Sequence, residues 1–337
     1  PRGSQRMDQW TQPPPSPATT RTSPACGAAA FGPLVALLGV VWLINAGFQF
    51  LTWVWRASGP DTGLPHVLGK AVSSAPPWLQ PLVLDIATGI DRLNPRGIAA
   101  AMAVVALLLG LALITRVGLR TACWFGVAYS IFCWIALTGL GAPYGPGQTD
   151  PGVFPAYLIS FLVVLSVAPV VAPRGSAAPA LMPSRAMWTA ARLLFGLLWL
   201  FDAALKWRPY FLSHFLDQLT PAVQGQPNWI ATYITFVINA VQTVRPELVA
   251  VLVAIIETGI AISLLTGLWL RVIAPLAFLY SLAIWTTAEG WGGPYTAAGT
   301  GVRGNVVGNV LIYAIIFLFF LVPAAYRPRQ DRVVRST

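Results

Sequence analysis

Four ionisable side chains interrupt otherwise apolar sequence in the second half of the chain: Asp202 and Lys206 in WLFDAALKW, Glu257 in AIIETGIA, and Glu289 in WTTAEGWGG. A carboxyl group in an apolar setting can hold and pass a proton, and an ammonium can receive an anion or a carbonyl oxygen. Asp202 precedes Lys206 by four residues, the favourable order for a same-face ion pair on a helix. A charge at the centre of a bilayer costs about 2.5–3.5 kcal/mol, so these groups must face protein or water rather than lipid. Glu257 and Asp202 are therefore the candidate catalytic proton-transfer groups, with Lys206 and Glu289 as candidate substrate contacts. The structural alternative is that Lys206 snorkels, Asp202 pairs with it, and a protonated Glu257 ties helices together.

Further polar candidates follow. VRGNVVGNV carries Arg303, Asn305 and Asn309, the two asparagines one helical turn apart. Arg303 and free amides at a helix start could receive an anionic or carbonyl group; the packing alternative is that the asparagines and Gly308 cement helix contacts. The two histidines, His66 and His214, fall in corresponding loops, and His214 is carried as a candidate substrate contact. No Cys, Met or third His supports a metal sphere around them, and no metal site is expected. Cys123 and Cys133 sit ten residues apart in one apolar segment, about 15 Å along a helix, too far to pair.

The elements that must position these groups are helices in a membrane. Hydrophobic residues make up 56% of the 337 and charged ones 9%, and the mean hydropathy is +0.68, outside the balance of a soluble domain. The net charge of +10 comes largely from arginines between apolar runs, which reads as topology signal and not as a nucleic-acid surface. Eight runs are long enough to cross a bilayer, near 31–55, 97–115, 119–139, 154–171, 187–207, 248–267, 271–288 and 306–326. Arg21, Arg116, Arg120, Arg174, Arg185, Arg271 and the basic tail share one side. The positive-inside rule makes that side cytoplasmic, with both termini inside a bacterial-type cytoplasmic membrane. Counting about 1.5 Å per residue from Met187 puts Asp202 about 22 Å into its helix, in the outer half of the bilayer.

PRGS at the start reads as a tag remnant, with Met7 as the natural start and a Pro/Thr/Ser-rich, disordered cytoplasmic tail to residue 29. Residues 30–173 and 187–326 then form two membrane repeats, separated by the linker 174–186 and followed by a basic tail, 327–337. Segment 95–144 lies over 246–295 without a gap, matching Pro95 to Pro246, Arg120 to Arg271, Tyr129 to Tyr280 and Trp134 to Trp285. Four spans per repeat is an even number, so the halves point the same way. The expected fold is an all-α polytopic membrane protein of two parallel-oriented four-helix bundles, related by an approximate two-fold along the membrane normal. At matched positions the first half carries Asn45, Gln49, Ala106 and Thr138 where the second carries Asp202, Lys206, Glu257 and Glu289. A group needed only for packing tends to recur in both copies, so the divergence points to function.

RLLFGLLWLFDAALKW (192–207) followed by ETGIAISLLTGLWLRVIAPLAFLYSLAIW (257–285) resembles the DoxX-like family of four-helix membrane proteins, including the DoxD subunit of thiosulfate:quinone oxidoreductase. The shared features are a first helix opening with Arg-Leu-Leu and ending near a lysine, then a glutamate early in the second helix, LLTG and a basic turn. The resemblance implies a four-helix bundle per half and, for the DoxD branch, oxidation of a small sulfur compound such as thiosulfate with electrons passed to a membrane quinone. The chain departs from that pattern in being duplicated and in carrying Ala106 in place of the first glutamate. The expected partners are the lipid bilayer, a small anionic or quinone ligand and an accessory subunit, and the expected acceptor is quinone because no cofactor motif is visible. The alternative is a non-catalytic partner-binding subunit or a small-molecule carrier.

Overall fold

Long apolar runs bounded by Pro, Asn and Gly leave the backbone one way to satisfy its own hydrogen bonds without water, the α-helix. The computed structural model describes residues 24–55, 63–142, 147–171, 184–293, 295 and 307–326, and these contain helices and no strand. In order they are α1 (Pro24–Gln49, continuing as a π-helix Phe50–Trp55), α2 (Gly63–Ser74), α3 (Gln80–Leu93), α4 (Pro95–Thr115), α5 (Leu119–Thr138) and α6 (Phe154–Val171). The second half follows with α7 (Arg185–Lys206), α8 (Pro209–Ser213), α9 (Asn228–Val244), α10 (Pro246–Thr266), α11 (Leu270–Thr286) and α12 (Val310–Tyr326). Arg303 and Asn305, the linker 174–183 and both tails lie outside the described residues.

Five stretches are long and apolar enough to cross a membrane: Ala30–Thr52, Pro95–Thr115, Leu119–Gly141, Arg185–Lys206 and Pro246–Thr266. The other three expected spans are apolar helices too, α6 of 18 residues and α11 and α12 of 17 each. The protein is thus an all-α protein with helices of membrane-crossing length. Leu108 and Leu111 on α4 and Leu252 and Ile255 on α10 are exposed, as lipid-facing positions are.

Local chemistry sets the helix ends. Asn94 accepts the Gly97 N–H at 3.0 Å and Pro95 opens α4, while Ser184 caps α7 through the Met187 N–H. α4 ends on Arg116 and α10 on Gly267, both left-handed, with φ 63° and 77°. The same geometry recurs at Gly118 and Trp269, φ 58° and 53°. It returns again in Gly139-Leu140-Gly141 and Gly290-Trp291-Gly292, with φ of 52°, 62° and 78° against 52°, 58° and 81°. A non-glycine residue takes this conformation at a cost of about 1–2 kcal/mol. Arg116, Leu140, Trp269 and Trp291 accept that cost because the turn is repeated where the residue is not.

Packing repeats as well. α1 lies on α4 and α7 on α10, while α5 lies on α6 and α11 on α12. The halves meet where α6 touches α7 and α12, and where α1 touches α12. Trp42 packs against Tyr129, Tyr157 and Phe161 in the first half. Trp199 packs against Tyr280, Tyr313 and Phe317 in the second. One buried core runs through both halves.

Candidate functional site

A cavity of about 770 Å³ opens among α1, α7, α10, α11, the start of α12 and the segment 149–154. Both halves supply its wall: Asn45, Gln49, Tyr129, Asp150 and Tyr157 come from the first half, and Asp202, Lys206, Glu257, Tyr280, Glu289, Asn309 and Tyr313 from the second. The apolar share includes Phe211, Phe215, Val237, Val241, Val249 and Val253.

The lysine at the end of α7 does not pair with the aspartate one turn before it. Lys206 Nζ lies 2.9 Å from Glu257 Oε2 on α10, an ion pair between the two helices. It also donates to the Thr149 carbonyl at 3.0 Å and sits 5.8 Å from the centre of the Phe211 ring. Sequence spacing favoured Asp202, but α7 and α10 pack closely enough to place Glu257 within reach, and this inter-helix contact prevails. Tyr280 on α11 donates to Glu257 Oε1 at 2.9 Å. The carboxylate of Glu257 is 1% exposed and its ammonium partner 12%.

Asp202 is 3% exposed, and its Oδ1 has no hydrogen-bond partner. The Tyr313 hydroxyl and the charges of Lys206, Asp150 and Glu257 surround it. The Tyr313 hydroxyl itself falls outside hydrogen-bond geometry. Asp202 thus holds an open acceptor in the cavity wall.

Glu289 and Asn309 have structural bonds. The Glu289 carboxylate accepts the Asn309 N–H at 2.8 Å and the Val310 N–H at 3.1–3.2 Å, so it caps the first turn of α12. Gly308, with φ 75°, permits that approach; a Cβ there would lie 2.3 Å from Glu289 Oε2. Asn309 Nδ2 donates to Asp150 Oδ1 at 3.1 Å, joining the two halves.

His214 does not line this cavity. Its ring is exposed, stacked on Tyr210 at 4.6 Å and bonded to Ser213 Oγ at 2.7 Å. His214 directly follows the short helix α8, and its exposed ring places it apart from the groups that line the cavity. Beside it, the Tyr210 phenol donates to Asp217 Oδ2 at 3.1 Å, and that bond raises its pKa. His66 lies half-buried on α2, and no group of three potential ligands for a metal exists among the described residues.

Sequence reasoning missed Asp150, Tyr280 and Tyr313 as members of this wall. Tyr280 carried a signal, since it matches Tyr129 in a gapless repeat and faces the glutamate that replaces Ala106. Asp150 carried none, because its place depends on how segment 149–154 crosses to the other half. No protein-family model, curated protein or solved structure matches the chain.

Proposed function

We propose that the protein is a membrane subunit that binds a quinone and reduces it with electrons from a small sulfur compound such as thiosulfate. The reading carries with it eight spans in two parallel four-helix bundles, an approximate two-fold along the membrane normal, and both termini in the cytoplasm of a bacterial-type cell. The recurring left-handed turns and tryptophan clusters support the two-fold, and helices of 17 residues fall within the range that crosses a bilayer.

The observation that carries the function is the buried Lys206–Glu257–Tyr280 cluster in the wall of a cavity that is otherwise largely apolar. A quinone needs an apolar enclosure and hydrogen-bond donors for its carbonyl oxygens; Lys206 Nζ is such a donor, with three N–H for the two partners it has in Glu257 and the Thr149 carbonyl. Reduction to quinol takes two electrons and two protons. Joining two thiosulfates through a new S–S bond releases the two electrons. The protons would pass through Glu257 and Asp202, and the sulfur anions would meet Lys206 and Arg303. The resemblance to DoxD supplies the sulfur chemistry in this reading; the cavity supplies the place for the quinone.

A non-catalytic ligand- or partner-binding subunit is the rival, favoured by how fully Glu289 and Asn309 are engaged in internal bonds. A carrier is less well supported. On the Met187 side of Trp199, Phe195 packs against Tyr313, Phe317 and Phe320, with centroids 4.9–6.2 Å apart, a layer of aromatic rings where a carrier would need polar groups.

Protein purified from native membranes is expected to release quinone on solvent extraction and to reduce a soluble quinone analogue when thiosulfate is added. Quinone-free protein that is inert to both would sink the redox reading.

A further inference from the structure

We infer a second subsite in the first-half wall of the cavity, for a neutral lipophilic molecule whose head carries hydroxyl groups. Trp42, Asn45 and Gln49 follow one another at spacings of three and four on α1, which puts them on one face. All three line the cavity, and they are 2%, 4% and 7% exposed. Trp42 Nε1, Asn45 Oδ1 and Gln49 Oε1 each lack a hydrogen-bond partner. The Asn45 amide nitrogen is engaged by the Tyr157 hydroxyl, which leaves its oxygen as the open acceptor.

The second half shows what fills the equivalent space there. Asp202 and Lys206 replace the two amides, and Glu257 receives Tyr280. In the first half Ala106 stands in place of the glutamate, and the Tyr129 hydroxyl is likewise without a hydrogen-bond partner. Leaving a buried polar group unpaired is costly. Three on one helix face are a set of demands that a guest can meet together. Two carbonyl oxygens call for donors and an indole N–H calls for an acceptor; a hydroxyl serves as both.

The polar groups of this face are neutral: no ionisable group stands at positions 42, 45 or 49, and the charges of the first-half wall are Lys70, exposed on α2, and Asp150, which accepts from Asn309. The neighbouring wall is apolar, with Leu137, Val153 and Phe154. The α-helix also gives way to a π-helix at Phe50, directly after Gln49, a local departure that recurs where helices bind ligands.

Two molecules share the required head chemistry, a quinol and a monoacylglycerol, and both serve as probes of the full chain in nanodiscs. Binding of at least one probe is expected. Asn45→Leu and Gln49→Met are each expected to weaken it about tenfold while Gly47→Ala, on the open face of α1 where nothing lies within 4 Å, leaves it within about twofold, the scale of one net hydrogen bond lost or kept. Asn45→Asp keeps an acceptor in a place where the second half already accommodates aspartate, and is expected to bind better than Asn45→Leu. Binding of the quinol alone assigns the guest as quinol, binding of the monoacylglycerol alone assigns it as neutral lipid, and both results support the subsite. Failure of both probes to bind, or affinities unmoved by Asn45→Leu and Gln49→Met at unchanged melting temperature, overturns it. Oxidised quinone forms a separate arm: its loss in Lys206→Met concerns the second-half reading, which can fail while this one stands.

Discussion

Lys206 is the residue on which the polar wall turns. It has two carboxylates to choose from, and the choice of Glu257 leaves Asp202 with an open oxygen. Removing one member of a buried ion pair costs about 3–5 kcal/mol, because the other charge is stranded, whereas replacing both can be close to neutral. Lys206→Met is therefore expected to lower the unfolding temperature in detergent, and Lys206→Met with Glu257→Gln to recover most of the loss. A double variant no more stable than Lys206→Met alone would remove the pair from the energetics of the fold. The same comparison bears on function: Glu257→Gln with full quinone-reducing activity would return Glu257 to a purely structural role.

At the scale of elements, close approach and capping decide where the helices sit. Gly39 on α1 and Gly110 on α4 face each other, and a Cβ on Gly39 would lie 2.8 Å from the Gly110 carbonyl and 2.7 Å from Ile114 Cγ1. Backbone cannot yield as a flexible side chain does, so Gly39→Ala is expected to destabilise by about 1–3 kcal/mol. Gly47→Ala, where nothing lies within 4 Å, provides the control in the same thermal melt. α12 depends on the Glu289 carboxylate at its first turn. Glu289→Ala is expected to cost about 0.5–2 kcal/mol and to speed hydrogen exchange at Asn309 and Val310, while the amides of α10 keep their protection. Faster exchange throughout the molecule would show a general loss of stability instead.

For the whole molecule, the proposed topology makes a claim about sides. Single cysteines at Lys70 and Gln218, both on exposed or half-exposed positions of the helical excursions, are expected to react from outside with an impermeant maleimide in intact cells. Cysteines at Val117 and Leu268, in the tight turns after α4 and α10, are expected to react only after permeabilisation. Labelling of one turn from each side would break the parallel arrangement of the halves.

Much of this was legible before folding. Helix is the only spanning form open to apolar runs of this length, since each backbone group finds its partner within four residues. The repeat was readable because 95–144 and 246–295 align without a gap, and the left-handed turns at Arg116 and Gly267 show the backbone keeping its geometry through a change of side chain. The cost of charge in lipid likewise marks Asp202, Lys206 and Glu257 from composition alone. What the linear order could not express is which of these groups meet. Spacing along α7 favours Asp202 as the partner of Lys206, and a contact across to α10 overrides it. Asp150 joins Asn309 across 159 positions of chain, and the cavity takes its wall from both halves. Helix formation is settled by neighbours in sequence and by the solvent around them; the pairing of buried charges is settled by distance, and only packing brings distant residues to 3 Å.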